Sequence, residues 1–471
     1  MSELKKTNYG ALITLTTVFF FWGFVAASND ILIPVFKEEL NLAQWQSQMI
    51  SFAFYVAYTI GSIIYVLISY LLKKDILLKL GYKKGIALGL SISAIGTLLF
   101  IPAANLESFP LMISGLFVVG LGFSLQQTAA NPLVISLGDT KSGSQRLSLA
   151  GGVNNIGTTI GPVLIALAIF GSTSSSGTDV SIDSIKIPYL ILGLSFIIVA
   201  ALILFSKIPN HIEDNTVNEE PSTIKKSLKN YPQLYLGMIA IFVYVGVEVA
   251  TAGNLGEYLK VNYGMKANEI TPYVSLYWAS LMIGRWTSAA GIFSSKRFVQ
   301  NILKFVLPYG AFGVYILINS ITKQDLTGIY YYAFVIIVLI LAENFSKGNP
   351  SRQLMTFSAL GITALLIGMF STGTTSIYAL ISVGLFCSTL WPCIFTLAIA
   401  GLGNWTNKGS GYLVMMIMGG GIISLFQGIL VDLENVGIRF SFFVGVACFI
   451  YLFFYAVKTP KILEKQGIKL D

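Results

Sequence analysis

Apolar runs of about twenty residues recur from one end of this 471-residue chain to the other, and that recurrence limits the possible folds more than any single motif. A helix rises about 1.5 Å per residue, so about 20 apolar residues cross the roughly 30 Å hydrocarbon core of a bilayer. Inside lipid every backbone N–H and C=O must be bonded internally, which leaves helices and closed barrels. The runs are too long, and alternate too little, to be barrel strands. With 55% hydrophobic and only 11% charged residues, against about 25% charged in a soluble domain, the chain reads as an all-α polytopic membrane protein.

Predicted spans cover approximately 11–35, 47–72, 83–104, 110–138, 146–170 and 187–206, then 233–259, 271–293, 298–321, 327–343, 353–371, 376–402, 410–431 and 439–457. Between the two groups lies a polar stretch, 207–232, containing HIEDNTVNEEPSTIKK, which must be exposed to water. The expectation is about 14 transmembrane helices: a first bundle over 1–206, a cytoplasmic linker over 207–232 and a second bundle over 233–471. Basic residues set the orientation. Counted with the N-terminus inside, 22 fall in inner loops and tails and 6 in outer loops. Both termini are therefore expected in the cytoplasm, and the protein in the cytoplasmic (inner) membrane.

Several function classes drop out. The net charge of +8 is spread over short loops, so no nucleic acid is expected as a partner. Cys387, Cys393 and Cys448 lie in apolar segments at no metal spacing, and the single histidine, His211, is in a polar loop. A metal site, a resident cofactor and a histidine-based catalytic triad are not expected, and an enzyme is not the reading. The expected partners are the lipid bilayer, a small solute and a coupling cation, with the chain acting as a monomer.

The two groups of spans resemble each other. Asn131-Pro-Leu-Val-Ile-Ser-Leu137 recurs as Trp391-Pro-Cys-Ile-Phe-Thr-Leu397, and Gly23 with Ser28 is matched at the same spacing by Gly246 with Thr251. This fits a parallel duplication whose halves pack about a central cavity. Gly23 to Pro132 is 109 residues, whereas Gly246 to Pro392 is 146. The excess points to an inserted helical hairpin at about 298–343 in the second half.

Polar residues inside the spans mark the candidate site. The run FFFWGFVAASNDILIP (19–34) carries Asn29 and Asp30, and a charge there costs roughly 2.5 kcal/mol or more. Asp30 is either a cation-coupling carboxylate facing a watery cavity or, given Pro34 and Lys37, an interfacial residue. Gln127 and Asn131 lie one helical turn apart, and Pro132 removes the donor that would have bonded the Thr128 carbonyl. That arrangement suits binding of hydroxyls or a cation, or glue between helices. Asn154 shares a face with Thr158 among close-packing glycines, and is the substrate-contact candidate of its span. Glu248, with Tyr244 one turn earlier, is a carboxylate that must be neutral, paired or wet. Trp278, Met282 and Arg285 line one face of the next helix. Tyr277 and Trp278 can stack on the apolar C–H face of a pyranose, or Trp278 can belong to an interfacial belt. Arg285 lies toward the inner end and reads as a brace for the inner gate. Gln427 is the lone strong hydrogen-bonding side chain of its span, with a binding and a packing role equally open.

Taken together these residues resemble the fucose–galactose–glucose symporter family of the major facilitator superfamily. The likeness rests on N-D-I-L-I-P (Asn29–Pro34), on Q-T-A-A-N-P (Gln127–Pro132), where the fucose permease branch has E-T-A-A-N-P, and on Asn154. The bacterial glucose/galactose transporters are more similar, with a glutamine in the fourth helix, a YVGGEVA-like seventh helix (Tyr244–Ala250) and a YW…GR eighth (Tyr277, Trp278, Gly284, Arg285). The resemblance implies two six-helix bundles, alternating access and hexose uptake by cation symport. It makes Asp30 the sugar-binding and cation-coupling carboxylate. Gln127 cannot titrate, which shifts weight from proton toward sodium. A sugar facilitator and a transporter-like nutrient sensor stand as alternatives. The inserted hairpin departs from the family plan.

Overall fold

The computed structural model describes residues 7–39, 44–139, 142–170, 186–211, 228–265, 267–293, 296–321 and 325–468, with the side chains of 26–39, 44–51, 162–170, 229, 267, 268 and 297 outside the described part. The first half runs through α1 (Tyr9–Glu39), α2 (Gln44–Leu71), α3 (Ile76–Leu80), α4 (Tyr82–Leu98), α5 (Phe100–Asn105), α6 (Phe109–Ser136), α7 (Gly143–Phe170) and α8 (Lys186–Phe205). The second half begins with α9 (Pro232–Tyr263), α10 (Ala267–Phe293), α11 (Arg297–Ile321), α12 (Tyr332–Ser346) and α13 (Pro350–Phe370). It continues through α14 (Gly373–Cys387), α15 (Leu390–Ile399), α16 (Thr406–Met415), α17 (Gly419–Val431), α18 (Gly437–Ser441) and α19 (Phe443–Lys465). Of the expected linker, residues 212–227 lie outside the described part.

The expected count of about 14 transmembrane helices is corrected by the structure. Among the described residues, ten stretches are long and apolar enough to cross a membrane. The physical reasons differ from helix to helix. α12 has 15 residues, about 22 Å at 1.5 Å per residue, short of the roughly 30 Å core. α10 carries enough amides, hydroxyls and charged groups that its mean hydropathy falls below that of a span. α1 and α7 are not among the ten because their side chains beyond Val25 and Gly161 lie outside the described residues. The all-helical, multi-pass architecture holds: the chain is a multi-pass membrane protein.

Close helix crossings organise each half, and they occur at matching glycines. A Cβ on Gly23 of α1 would sit 2.0 Å from the Asn154 carbonyl oxygen of α7. One on Gly246 of α9 would sit 2.2 Å from Ile423 of α17. Neither crossing tolerates a side chain, so α1 is pinned against α7 and α9 against α17. α11 packs on α10, and α12 on α13 and α14, at the flank of the second half.

The halves meet chiefly through α7 against α10 and through α16 against α2 and α6. Described hydrogen bonds between them run from mid-bundle to the end where the chain starts and finishes. Thr59 Oγ1 donates to the Met415 carbonyl at 3.2 Å. Tyr65 donates to Asp75, which also caps α3 and accepts from Asn407 Nδ2 of α16 at 3.3 Å. Tyr82 closes the ring by donating to Asn407 Oδ1. At the same end the Tyr9 hydroxyl donates to the Ile292 carbonyl of α10.

Candidate functional site

The site is best built outward from α9. Glu248 is partly exposed and accepts a hydrogen bond from the Tyr244 hydroxyl one turn earlier. Tyr244 is buried at 2% exposure and packs against Trp391, ring centroids 6.3 Å apart. The Tyr277 hydroxyl of α10 donates to the Glu248 backbone carbonyl at 2.9 Å, which ties the two helices together. Tyr277 is fully buried and its hydroxyl engaged, so it positions α9 and does not offer a free ring face. Trp278, edge-on to Tyr277 at 5.7 Å, is 37% exposed. It lies two turns before Arg285 on the same face, and that face looks toward the first half.

Arg285 is the joint between halves. Its Nε donates to the Ser388 carbonyl of its own half at 3.0 Å. Its Nη1 donates across the interface to Asn155 Oδ1 at 2.8 Å and to the Gly151 carbonyl at 3.3 Å. It is also within electrostatic reach of Glu248. Gly151 and Gly152 permit the contact: Cβ atoms there would meet the Arg285 side chain at 3.1 Å and the Trp286 ring at 2.6 Å. A planar guanidinium with several fixed donors suits this three-way grip, where an ammonium would not.

The other candidates from the sequence divide. Gln127 Nε2 donates to the Tyr58 hydroxyl at 3.0 Å and stays partly exposed on the inner surface of the first half. Asn131 is 1% exposed, with a buried Nδ2 that has no partner among the described residues. Asn154 Nδ2 donates to the Phe19 carbonyl of α1 at 2.9 Å, so it holds the α1–α7 crossing. Gln427 is 1% exposed and donates to Ser441 Oγ of α18 at 3.1 Å, inside the second half. The structure thus brings Glu248 within electrostatic reach of Arg285, leaves Trp278 two turns away along α10, and gives Asn154 and Gln427 partners within their own halves. Asn29 and Asp30 lie on α1, but their side chains are outside the described residues.

Sequence reasoning missed three participants. Asn155, not Asn154, meets Arg285; neighbours on a helix point about 100° apart, and glycines on every side left the phase open. Ser410 of α16 donates to the Thr128 carbonyl at 2.9 Å, the acceptor that Pro132 leaves free. Trp391 was noticed only as part of a repeat. Among the described residues no group of three or more His, Cys, Asp and Glu side chains is placed to hold a metal.

Comparisons with known proteins agree with this architecture. The Major Facilitator Superfamily family model matches residues 12–342. The glucose/galactose transporter of Brucella abortus is 33% identical over 463 residues, covering 97% of this chain and 96% of that one. The L-fucose-proton symporter of Escherichia coli is 28% identical over 461 residues, covering 94% and 91%. The crystal structure of FucP, a Major Facilitator Superfamily transporter, in the outward conformation superposes with a TM-score of 0.71 at 26% identity, over 95% of this chain and 98% of that one. These relatives are transporters, not enzymes. The chain therefore belongs to the major facilitator superfamily, in the group that holds bacterial glucose/galactose transporters and L-fucose–proton symporters.

Proposed function

We propose that this protein imports a monosaccharide of the glucose/galactose type across the cytoplasmic membrane by symport with a cation, sodium or proton, through alternating access. One observation carries the reading. A partly exposed carboxylate, Glu248, bonded to Tyr244 that packs on Trp391, stands within electrostatic reach of the arginine that bonds the two halves together. A carboxylate accepts from sugar hydroxyls, and indole faces cover the apolar C–H faces of a pyranose. The names of the relatives, glucose/galactose transporter and L-fucose-proton symporter, support the same solute class.

In this reading the halves rock about the central site. Opening the end that carries the termini requires Arg285 to leave Asn155 and Gly151, while its bond to Ser388, within one half, can persist. The freed guanidinium then compensates Glu248, which keeps that carboxylate from being stranded in a dry cavity. Asp30 is the cation-coupling carboxylate: neutralising it with a proton or sodium lowers the cost of passing through an occluded state. Gln127 and Asn131 complete the first-half side of the site.

The test is uptake of labelled glucose, galactose and fucose into proteoliposomes under separately imposed sodium and proton gradients. Accumulation of a hexose under one gradient is expected, abolished by Asp30→Asn. Glu248→Gln is expected to weaken sugar binding to the purified protein at least about tenfold, the loss of a charge-assisted hydrogen bond. No accumulation of any hexose under either gradient would overturn the symport reading.

A further inference from the structure

Away from the central site, five helices of the second half converge on a second carboxylate. Glu343 of α12 is fully buried at 0% exposure. Its Oε2 accepts from Gln353 Nε2 of α13 at 2.6 Å, and its Oε1 has no hydrogen-bond partner among the described residues. Gln353 Nε2 also reaches Ser288 Oγ of α10 at 3.1 Å, and Gln353 Oε1 accepts from Cys393 Sγ of α15 at 3.5 Å. Lys304 of α11, 9% exposed, places its ammonium 3.4 Å from the Glu343 backbone carbonyl. The titratable groups facing Glu343 are therefore Lys304 and Cys393; α10 and α13 present the neutral Ser288 and Gln353.

A buried ionised carboxylate with one oxygen unbonded is expensive, because that acceptor has given up its water without gaining a partner. Two changes remove that cost. A proton on Oε1 neutralises the group, or the flexible lysine stem moves its ammonium from the carbonyl onto the carboxylate. Each state favours its own arrangement of Gln353, and Gln353 holds Ser288. Ser288 stands on α10 three residues after Arg285, so a shift in its hydrogen bond is delivered one turn from the joint between the halves.

We propose that Glu343 is a proton-binding site, separate from the central site, whose protonation exchanges with Lys304 and biases the α7–α10 joint through Gln353 and Ser288. The ligand is a proton, not a metal ion, because the adjoining ammonium repels a second cation. The bias on transport rests on the function proposed above; the proton site itself does not.

Infrared difference spectroscopy of the reconstituted full-length protein across a pH series tests it. A protonated-carboxyl band that titrates in the parent protein is expected to vanish in Glu343→Gln and persist in Glu248→Gln. Lys304→Met, which keeps the native glutamate, is expected to move that midpoint upward by about one pH unit or more, since an opposite charge favours the ionised form. A spectrum in which Glu343→Gln removes no titrating band, or a midpoint unmoved by Lys304→Met, overturns the proposal. These readings do not depend on transport, so a failure of the sugar-symport reading leaves them interpretable. Where uptake is measurable, its pH profile is expected to flatten in Glu343→Gln, and an unchanged profile overturns the link to the joint.

Discussion

Two prolines at matching places in the repeat, Pro132 and Pro392, are treated differently by the fold. Each lacks the N–H that would bond the carbonyl four residues earlier, Thr128 in one case and Ser388 in the other. In the first half α6 runs unbroken from Phe109 to Ser136 through Pro132, and the free Thr128 carbonyl accepts a neutral hydroxyl, Ser410, from the opposite half. In the second half the helix breaks between Cys387 and Leu390, and the Ser388 carbonyl accepts a guanidinium N–H from Arg285 of the same half. One vacancy thus serves as a bond across the interface. The other seats the arginine that makes the remaining bonds across it. A repeated motif here conserves a backbone vacancy, and the partner decides its use.

From that contrast, losing the guanidinium costs most. Arg285→Gln removes the Ser388 bond and both bonds to α7 together, and a charged hydrogen bond is worth about 1.5–3 kcal/mol. Uptake is expected to fall by roughly tenfold or more. Arg285→Lys should not rescue, because one ammonium cannot reproduce the spread of donors. Full activity in the lysine variant would mean that charge alone matters and the three-way grip does not.

The pattern of apolar runs carried the all-helical class, because burial in lipid writes hydropathy directly into the sequence. It overcounted the crossings, since α10 is long but too polar and α12 is apolar but too short. For the site, Glu248 and Arg285 stood out because a charge in an apolar run has few structural excuses. Asn155 did not, because an amide next to another amide carries no phase. Glu343 escaped notice for a related reason: it falls at the very end of a run, where a carboxylate is ordinarily solvated. Only packing by Gln353 and Lys304, 10 and 39 residues away in sequence, shows it to be buried. Gln427 was left open between binding and packing, and its partner Ser441 belongs to a five-residue helix that no periodicity reveals.

A smaller effect is expected where the comparison turns on a neutral bond. Ser410→Ala leaves the Thr128 carbonyl without its partner from α16, a loss of about 1 kcal/mol, or roughly fivefold in the balance between closed and open halves. The expected readout is a few-fold change in sugar affinity with little change in melting temperature. The bond joins the two halves and leaves the packing within each intact. A large drop in melting temperature would place Ser410 in the folding core and remove it from the interface argument.

The smallest effect separates the two prolines themselves. In Pro132→Ala the new N–H can bond the Thr128 carbonyl, which has a second lone pair left for Ser410, so both bonds coexist. Replacing an interior helix proline also removes a local cost of about 3 kcal/mol in propensity, part of which α6 has already accommodated. Uptake within about twofold of the parent, with melting unchanged or slightly raised, is the expected result, an effect below the few-fold cost assigned to a lone neutral hydrogen bond. Pro392→Ala is different in kind. The new N–H would close the break after Cys387 and turn the Ser388 carbonyl into the helix, away from Arg285, so transport should suffer more than in the first-half variant. Equal losses in the two variants, or a greater loss at Pro132, would mean that the helix break has nothing to do with seating the arginine.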